Sequence, residues 1–334
     1  MISLNRRVLL GGAGIALAAP MLMKRAAIAQ DAPASPRDQT KAADIDKIMP
    51  PDTHRFNVGN FEVVVVKDGA RPSGNPQETF GTDQSPQAVG ELLEANFLPT
   101  DNFVNSFAPV LVNTGSEVVL FDTGLGEGGR ENGMGRLIEG LMAAGYTRED
   151  VTIVVITHMH GDHIGGLMEG GEPAFPNARY VTGQVEYDFW VDPARAGTPA
   201  ENGHKLALSN VKPLADKTTF IVDGGEVVSG ITGMAAFGHS PGHMIYRLES
   251  EGRQLVLAAD TANHFVLSLQ RPDWEVRFDM DKAAAAATRK KVFDMIAADR
   301  LAFLGYHMPF PAVGYAEKLD TGYRFVPKSY QFDI

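Results

Sequence analysis

Three histidines and an aspartate fall within six positions, His158 to His163, inside VVITHMHGDHIGG (154–166). The whole chain has nine histidines. The cluster directly follows an apolar, β-branched run, where unpaired imidazole and carboxylate groups would be costly to bury. In an extended segment His158 and His160 face one side, and a turn at Gly161 returns Asp162 and His163 to the same spot. Such nitrogen and oxygen ligands suit Zn²⁺, and also Mn²⁺, Co²⁺ or Fe²⁺. Three more segments carry the same side-chain types: His239 and His243 in GHSPGH, Asp260 closing LVLAAD, and His307 in FLGYHMP. The candidates outnumber what one tetrahedral ion can use while keeping an open position. They fit two divalent ions about 3.5–4 Å apart, sharing one carboxylate. Ser240 lies within GHSPGH but lacks the strand–elbow–helix setting of a serine nucleophile.

The elements that must position these residues can be read from periodicity. FEVVVVKDG (61–69) reads as a strand ending in a turn, and APVLVNTGSEVVLFDTG (108–124) as a hairpin about Asn-Thr-Gly-Ser. VTIVVIT (151–157) reads as a buried strand. SPQAVGELLEANF (85–97), MGRLIEGLMAAGY (134–146), QVEYDFWV and the Ala-rich 282–298 read as helices. GITGMAAFG, MIYRLES, RQLVLAAD, LAFLG and the extended tail GYRFVP complete the pattern. Strands that alternate with helices but also form hairpins imply an α/β layered protein with mixed sheets and outer helices. The histidines sit at strand ends, where loops can aim side chains at one point.

Composition narrows the setting. Residues 1–29 contain the pair Arg6 and Arg7, a Gly/Ala-rich apolar run broken by Pro20, and the small-x-small site Ala27-Ile28-Ala29. This is the pattern of a twin-arginine export signal and predicts a periplasmic or secreted protein with no stable membrane insertion after signal removal. Loss of its four basic residues takes the net charge from −11 to −15, which disfavours nucleic acid as a partner. The absence of cysteine excludes disulfides and thiolate ligands. Residues 30–55 read as an arm or linker, and 56–334 as one domain.

The order H-x-H-x-D-H, G-H-S-P-G-H, strand-end Asp and late His resembles the metallo-β-lactamase superfamily. That resemblance implies an αββα sandwich with two mixed β-sheets. His158, His160 and His239 would bind one metal, Asp162, His163 and His307 a second, and Asp260 would bridge them. Asp122 in LFDTG is either a supporting acid or a plain Asp-Thr-Gly turn. His243 matches a position that is not a ligand. Further words, among them ITHMHGDHIGGLM, AFPNA, DFW and GYRFVP, are similar to the methyl parathion hydrolase branch, akin to quorum-quenching lactonases. Members of that branch hydrolyse lactones, aryl esters and organophosphate triesters, and their long arms take part in dimer contacts, which implies a homodimer. The chain departs from the branch after the D-T-G motif, where LGEGGRENGMG (125–135) lacks aromatic residues. Trp190, His264 and Phe265 are further candidates for the pocket wall; Trp190 reads equally as helix packing.

The expected function is dinuclear hydrolysis of lactones or esters by a hydroxide bridging the two ions, with Asp162 passing a proton to the leaving oxygen. A β-lactamase of the cysteine-free subclass and a metal-dependent binding protein without turnover are the alternatives.

Overall fold

The computed structural model describes residues 52–329. The expected export signal and the arm as far as residue 51 lie outside the described residues. Strand Thr53–Val58 begins inside the last residues assigned to the arm. It pairs antiparallel with Phe61–Val66, with Thr53 opposite Val66, so these residues belong to the sheet.

Two seven-stranded sheets form the core. The first runs Thr53–Val58, Phe61–Val66, Val110–Asn113, Val118–Phe121, Ile153–Ile156, Arg179–Gly183 and Thr218–Ile221. Its hairpin half is antiparallel, and its last three pairings are parallel. The second runs from Glu226–Val228 to Gly322–Pro327 in chain order. It is antiparallel except where Arg253–Ala259 meets Ala302–Gly305.

Period-two alternation sorts the apolar residues into layers. Val63, Val65, Val112, Phe121 and Val155 share one buried cluster with Leu248, Leu255 and Leu257 of the second sheet. Their neighbours Val64, Val66, Leu111, Leu120 and Val154 face the other way, onto Leu137, Leu141 and Trp190 of the flanking helices. Helix Lys282–Ala298 packs Phe293 against Phe303 and Tyr323 of the second sheet. The order helix, sheet, sheet, helix is the expected αββα sandwich.

Helix Leu137–Ala143 is shorter than the periodic stretch 134–146, because Gly135 and Gly145 take left-handed φ values of 68° and 85°. Helix Glu201–Asn210 and the two-stranded antiparallel sheet of Gly69–Pro72 and Val104–Phe107 had no clear sequence signal.

Candidate metal centre

Ile153–Ile156 is fully buried between two parallel neighbours, so the chain can expose polar groups only where the strand ends. There Thr157 leads into the histidines. The segment is a loop and not an extended strand. His160 flanks one helical turn, Gly161–Ile164, and that turn carries Asp162 and His163 round. The glycines after it allow close approach: a Cβ on Gly166 would lie 2.2 Å from the Thr123 carbonyl oxygen.

The structure brings all seven ligand candidates together. Three groups have donor atoms within 4.8 Å of one another: His158, His160 and His239; His158, His163 and Asp260; and Asp162, His163 and His307. His160 Nδ1 lies 3.1 Å from His158 Nε2 and 3.0 Å from His239 Nε2. Asp260 spans the groups. Its Oδ2 is 3.2 Å from His239 Nε2 and 3.1 Å from His307 Nε2, and its Oδ1 is 3.4 Å from His163 Nε2. Asp162 Oδ2 is 3.5 Å from His307 Nε2 and 3.7 Å from His163 Nε2.

The opposite ring nitrogens are already committed. His163 Nδ1 donates to Asp122 Oδ2 (2.8 Å), His239 Nδ1 to Asp279 Oδ1 (2.9 Å) and His307 Nδ1 to the Ser106 carbonyl (2.8 Å). Thr157 Oγ1 gives its proton to Asp122 Oδ2 and can therefore accept from His158 Nδ1 at 3.1 Å. These partners fix tautomers that leave the Nε2 lone pairs of His158, His163, His239 and His307 pointing inward, at one another and at carboxylate oxygens. His163 Nε2 and Asp260 Oδ1 are buried with no hydrogen-bond partner. Cations satisfy such a set and protein groups do not, so the residues fit two divalent ions, zinc foremost by ligand type.

The electrostatics agree. Burial, reinforced by neighbouring histidines, holds His158 and His160 well below the ordinary imidazole range. Burial would also lower His163, but Asp260, Asp122 and Asp162 override it and raise it well above that range. His239 rises to about 9 through Asp260 and Asp279, against the effect of burial. Burial opposes ionisation of Asp260, yet His307 and His163 hold it well below the carboxylate range. The site thus demands positive charge, supplied either by protons or by metal.

The remaining candidates have distinct places. Asp122, at φ 58°, accepts from the Thr157 backbone N–H and hydroxyl and from His163, so it supports the site. His243 donates from Nδ1 to the Ala236 carbonyl and accepts the Asp260 backbone N–H at Nε2. Both its nitrogens are thus used by the protein. Trp190 does both things expected of it. It stands edge-on to His160 at 6.0 Å and lines the cleft, while its Nε1 donates to buried Glu186. His264 and Phe265 do not line the main cleft; they stack on each other beside a neighbouring cavity. Ser240 donates to Glu186, which leaves it a structural role.

Sequence reasoning missed three supports. Glu186 accepts from Met159 N, Trp190 Nε1, Ser240 Oγ and Gly242 N, tying the two histidine motifs together. Asp279 joins His239 to the buried Arg289, whose Nη2 donates to it at 2.7 Å. Tyr306 lies against the His163 ring and donates to the Asp162 carbonyl. Tyr306 adjoins His307 in sequence, so that neighbour offered a signal. Glu186 and Asp279 read as ordinary helix and turn residues.

The centre floors a cleft of about 920 Å³. Its walls include Phe80, Phe107, Trp190, Leu206 and Phe278. The loop after Asp-Thr-Gly contributes Leu125, Glu127 and Gly128. The aromatic wall that this loop lacks is thus supplied by other segments.

Residues 103–299 match the model of the metallo-beta-lactamase superfamily. The chain belongs to that superfamily. Its relatives point to the quorum-quenching lactonase branch. It is 28% identical to an N-acyl homoserine lactonase of Bacillus cereus over 193 residues, 55% of this chain and 70% of that protein. It is 25% identical to another from Bacillus sp. over 232 residues, 66% and 85%. The fold superposes on AidC, a dizinc quorum-quenching lactonase, with a TM-score of 0.77 and 25% identity, covering 83% of this chain and 98% of AidC. The hydrolase AbOPH of the same superfamily gives the same score and identity, with 84% and 99% covered.

Proposed function

We propose that the protein is a metal-dependent hydrolase that opens lactones and cleaves esters, N-acyl homoserine lactones among them. One observation carries the reading: inward-facing lone pairs from four segments converge, around the doubly placed Asp260, at the floor of an apolar-walled cleft. Divalent ions held there supply Lewis acidity, making a nucleophile from water at neutral pH and stabilising developing oxyanion charge.

The chain's own residues do the rest. His158, His160 and His239 would hold one ion and Asp162, His163 and His307 the other, with Asp260 within reach of both groups. Thr157, Asp122, Asp279 and the Ser106 carbonyl keep the imidazoles in the ligating tautomer. Asp162 keeps 22% of its side chain accessible and lines the cleft. It is therefore placed to pass a proton to the leaving oxygen. The aromatic walls exclude water from the apolar part of a substrate. They also suit the aryl leaving group of an organophosphate triester, which makes phosphotriester cleavage a secondary activity.

The test is metal analysis of purified protein joined to a panel of a lactone, an aryl ester, an organophosphate and a β-lactam. Lactone opening that is lost with the metal in His160→Ala, at unchanged secondary structure, is the expected result. Full activity of a metal-free variant would defeat the reading. We also propose export by the twin-arginine route. Replacing Arg6 and Arg7 with Lys should then retain precursor in the cytoplasm, and normal export would overturn it.

A further inference from the structure

A polar cavity of about 550 Å³ lies at the opposite end of the second sheet from the metal centre. Strand Arg253–Ala259 joins the two places: Arg253 lines the cavity, and Asp260 follows the last residue of the strand. At about 3.3 Å per residue, the strand separates them by roughly 20 Å. Three guanidiniums from three elements line this cavity. Arg247 comes from strand Met244–Ser250, Arg253 from the next strand, and Arg300 from the turn after helix Lys282–Ala298. Arg247 is half-buried and the other two are exposed. Asp299 is the one carboxylate residue in the wall, so the cavity is basic in a chain of net charge −11.

The chain leaves these three charges without a counter-ion. The lysine and arginine ion pairs of residues 240–329 are Arg289–Asp279, Lys318–Asp294 and Arg324–Glu317. Among the described residues, Arg247, Arg253 and Arg300 form none. Arg247 Nη2 meets only the Met295 sulfur, at 3.8 Å, and its Nε is enclosed with no partner. A ligand would therefore meet this guanidinium at its Nη edge. Helix capping does not account for the cluster either. The carbonyls of Met295, Ala297 and Ile296 are already taken by the backbone N–H groups of Asp299, Arg300 and Leu301. Within that cap Arg300 is held at φ 53°, the left-handed position where glycine is favoured.

We propose that this cavity binds a phosphate group, free or carried on a small molecule. The proposal does not depend on the hydrolase reading. Guanidiniums present paired N–H donors that match phosphate oxygens. Three of them arriving from different elements suit a tetrahedral dianion better than a planar carboxylate, which a single fork satisfies. The cavity leaves room beyond the phosphate for the rest of a small molecule.

The test is calorimetric titration of zinc-loaded protein, freed of excess zinc, with inorganic phosphate and with glycerol 3-phosphate, at about 0.15 M salt. The wild type should bind with a Kd of about 1 mM or below. Arg247→Met keeps an unbranched side chain against Met295 and should weaken binding about tenfold or more, the loss of a charge-assisted hydrogen bond. Arg300→Gly should weaken binding about fivefold while raising the melting midpoint of the anion-free protein by about 2–4 °C, because glycine suits the left-handed position. An arginine that served the turn alone would not separate those two effects. Binding should survive His160→Ala, which disrupts the metal centre. Tighter binding of glycerol 3-phosphate would mark a phosphorylated small molecule as the ligand, and the reverse order would mark free phosphate; both support the site. No binding of either probe at about 10 mM would overturn the proposal. Undiminished binding in both arginine variants would do the same, as would loss of binding in His160→Ala, which would place the anion on the metals.

Discussion

The backbone N–H of Asp260 donates to Nε2 of His243 at 3.1 Å, while Nδ1 of the same ring donates to the Ala236 carbonyl. A histidine inside a cluster of metal-ligating histidines is thus spent on holding the carboxylate that lies between the two ligand groups. Burial pushes its pKa down to about 3, in keeping with a neutral ring that donates at one nitrogen and accepts at the other. His243→Phe should leave two buried backbone groups unpaired, costing about 1–3 kcal/mol each. Metal content should stay at the wild-type level. Urea unfolding joined to metal analysis checks both halves. Loss of a metal ion from the variant would mean that His243 acts as a ligand.

Asp279 connects the centre to the fold through Arg289. That guanidinium also donates to the Thr261 and Pro272 carbonyls, and the ion pair is almost fully buried. Asp279→Ala strands a buried arginine, and breaking one side of such a pair costs roughly 3–5 kcal/mol. It also frees His239 Nδ1, so the ring can adopt the wrong tautomer. Metal affinity should fall about 10–100-fold. Competition against a graded series of chelators measures it, and wild-type affinity in the variant would show that Asp279 does not orient His239.

The metal centre was legible because imidazole-rich clusters have few other uses and because strand ends announce where loops project. Period-two runs such as FEVVVV and VTIVVI likewise revealed the two-faced sheet. What sequence could not show were long-range supports of ordinary type. Glu186 lies on a helix whose amphipathic pattern is weak, and its four donors come from segments up to 56 residues away. The cleft's aromatic wall was hidden for the same reason. Phe80, Phe107 and Phe278 are remote in sequence and meet only once the sandwich closes. The glycine-rich loop 125–135, read alone, showed only that it lacks aromatic residues. In the fold, Asp68 pins it by accepting the backbone N–H groups of Leu125, Gly135 and Leu137.

Removal of the ions should destabilise the protein as well as silence it. Five imidazoles and two carboxylates face one another, with His163 Nε2 and Asp260 Oδ1 unpaired. A ligand that binds only the folded state contributes about 2.7 kcal/mol when its free concentration is a hundred times its dissociation constant. Chelation should therefore lower the calorimetric melting temperature by several degrees, since about 1 kcal/mol corresponds to roughly 2–4 °C in a domain of this size. Zinc should restore it. A midpoint unmoved by chelator, after metal loss is verified, would count against a centre that is part of the folded structure.

His264 offers a pH test away from the ligands. Its Nδ1 accepts the backbone N–H groups of Val266 and Leu267, both at 3.1 Å, and its ring meets Phe80 edge-on at 5.0 Å. Burial pushes its pKa down to about 3, against about 6.5 in an unfolded chain. Between those values the unfolded state binds a proton that the folded state refuses, so stability falls as the pH falls. The contribution is fully present above about pH 6.5 and is lost at about 1.4 kcal/mol per unit below it. At pH 5 the loss is about 2 kcal/mol on that slope. His264→Asn keeps a side-chain acceptor for the two N–H groups but cannot titrate. Its destabilisation relative to wild type should therefore shrink by about 2 kcal/mol between pH 7 and pH 5. Urea unfolding of both proteins at equal metal load removes the titration of the shared ligands from the comparison. A gap that stays constant across that range would mean that His264 accepts a proton in the folded state, and that its bonds to Val266 and Leu267 do not hold it neutral.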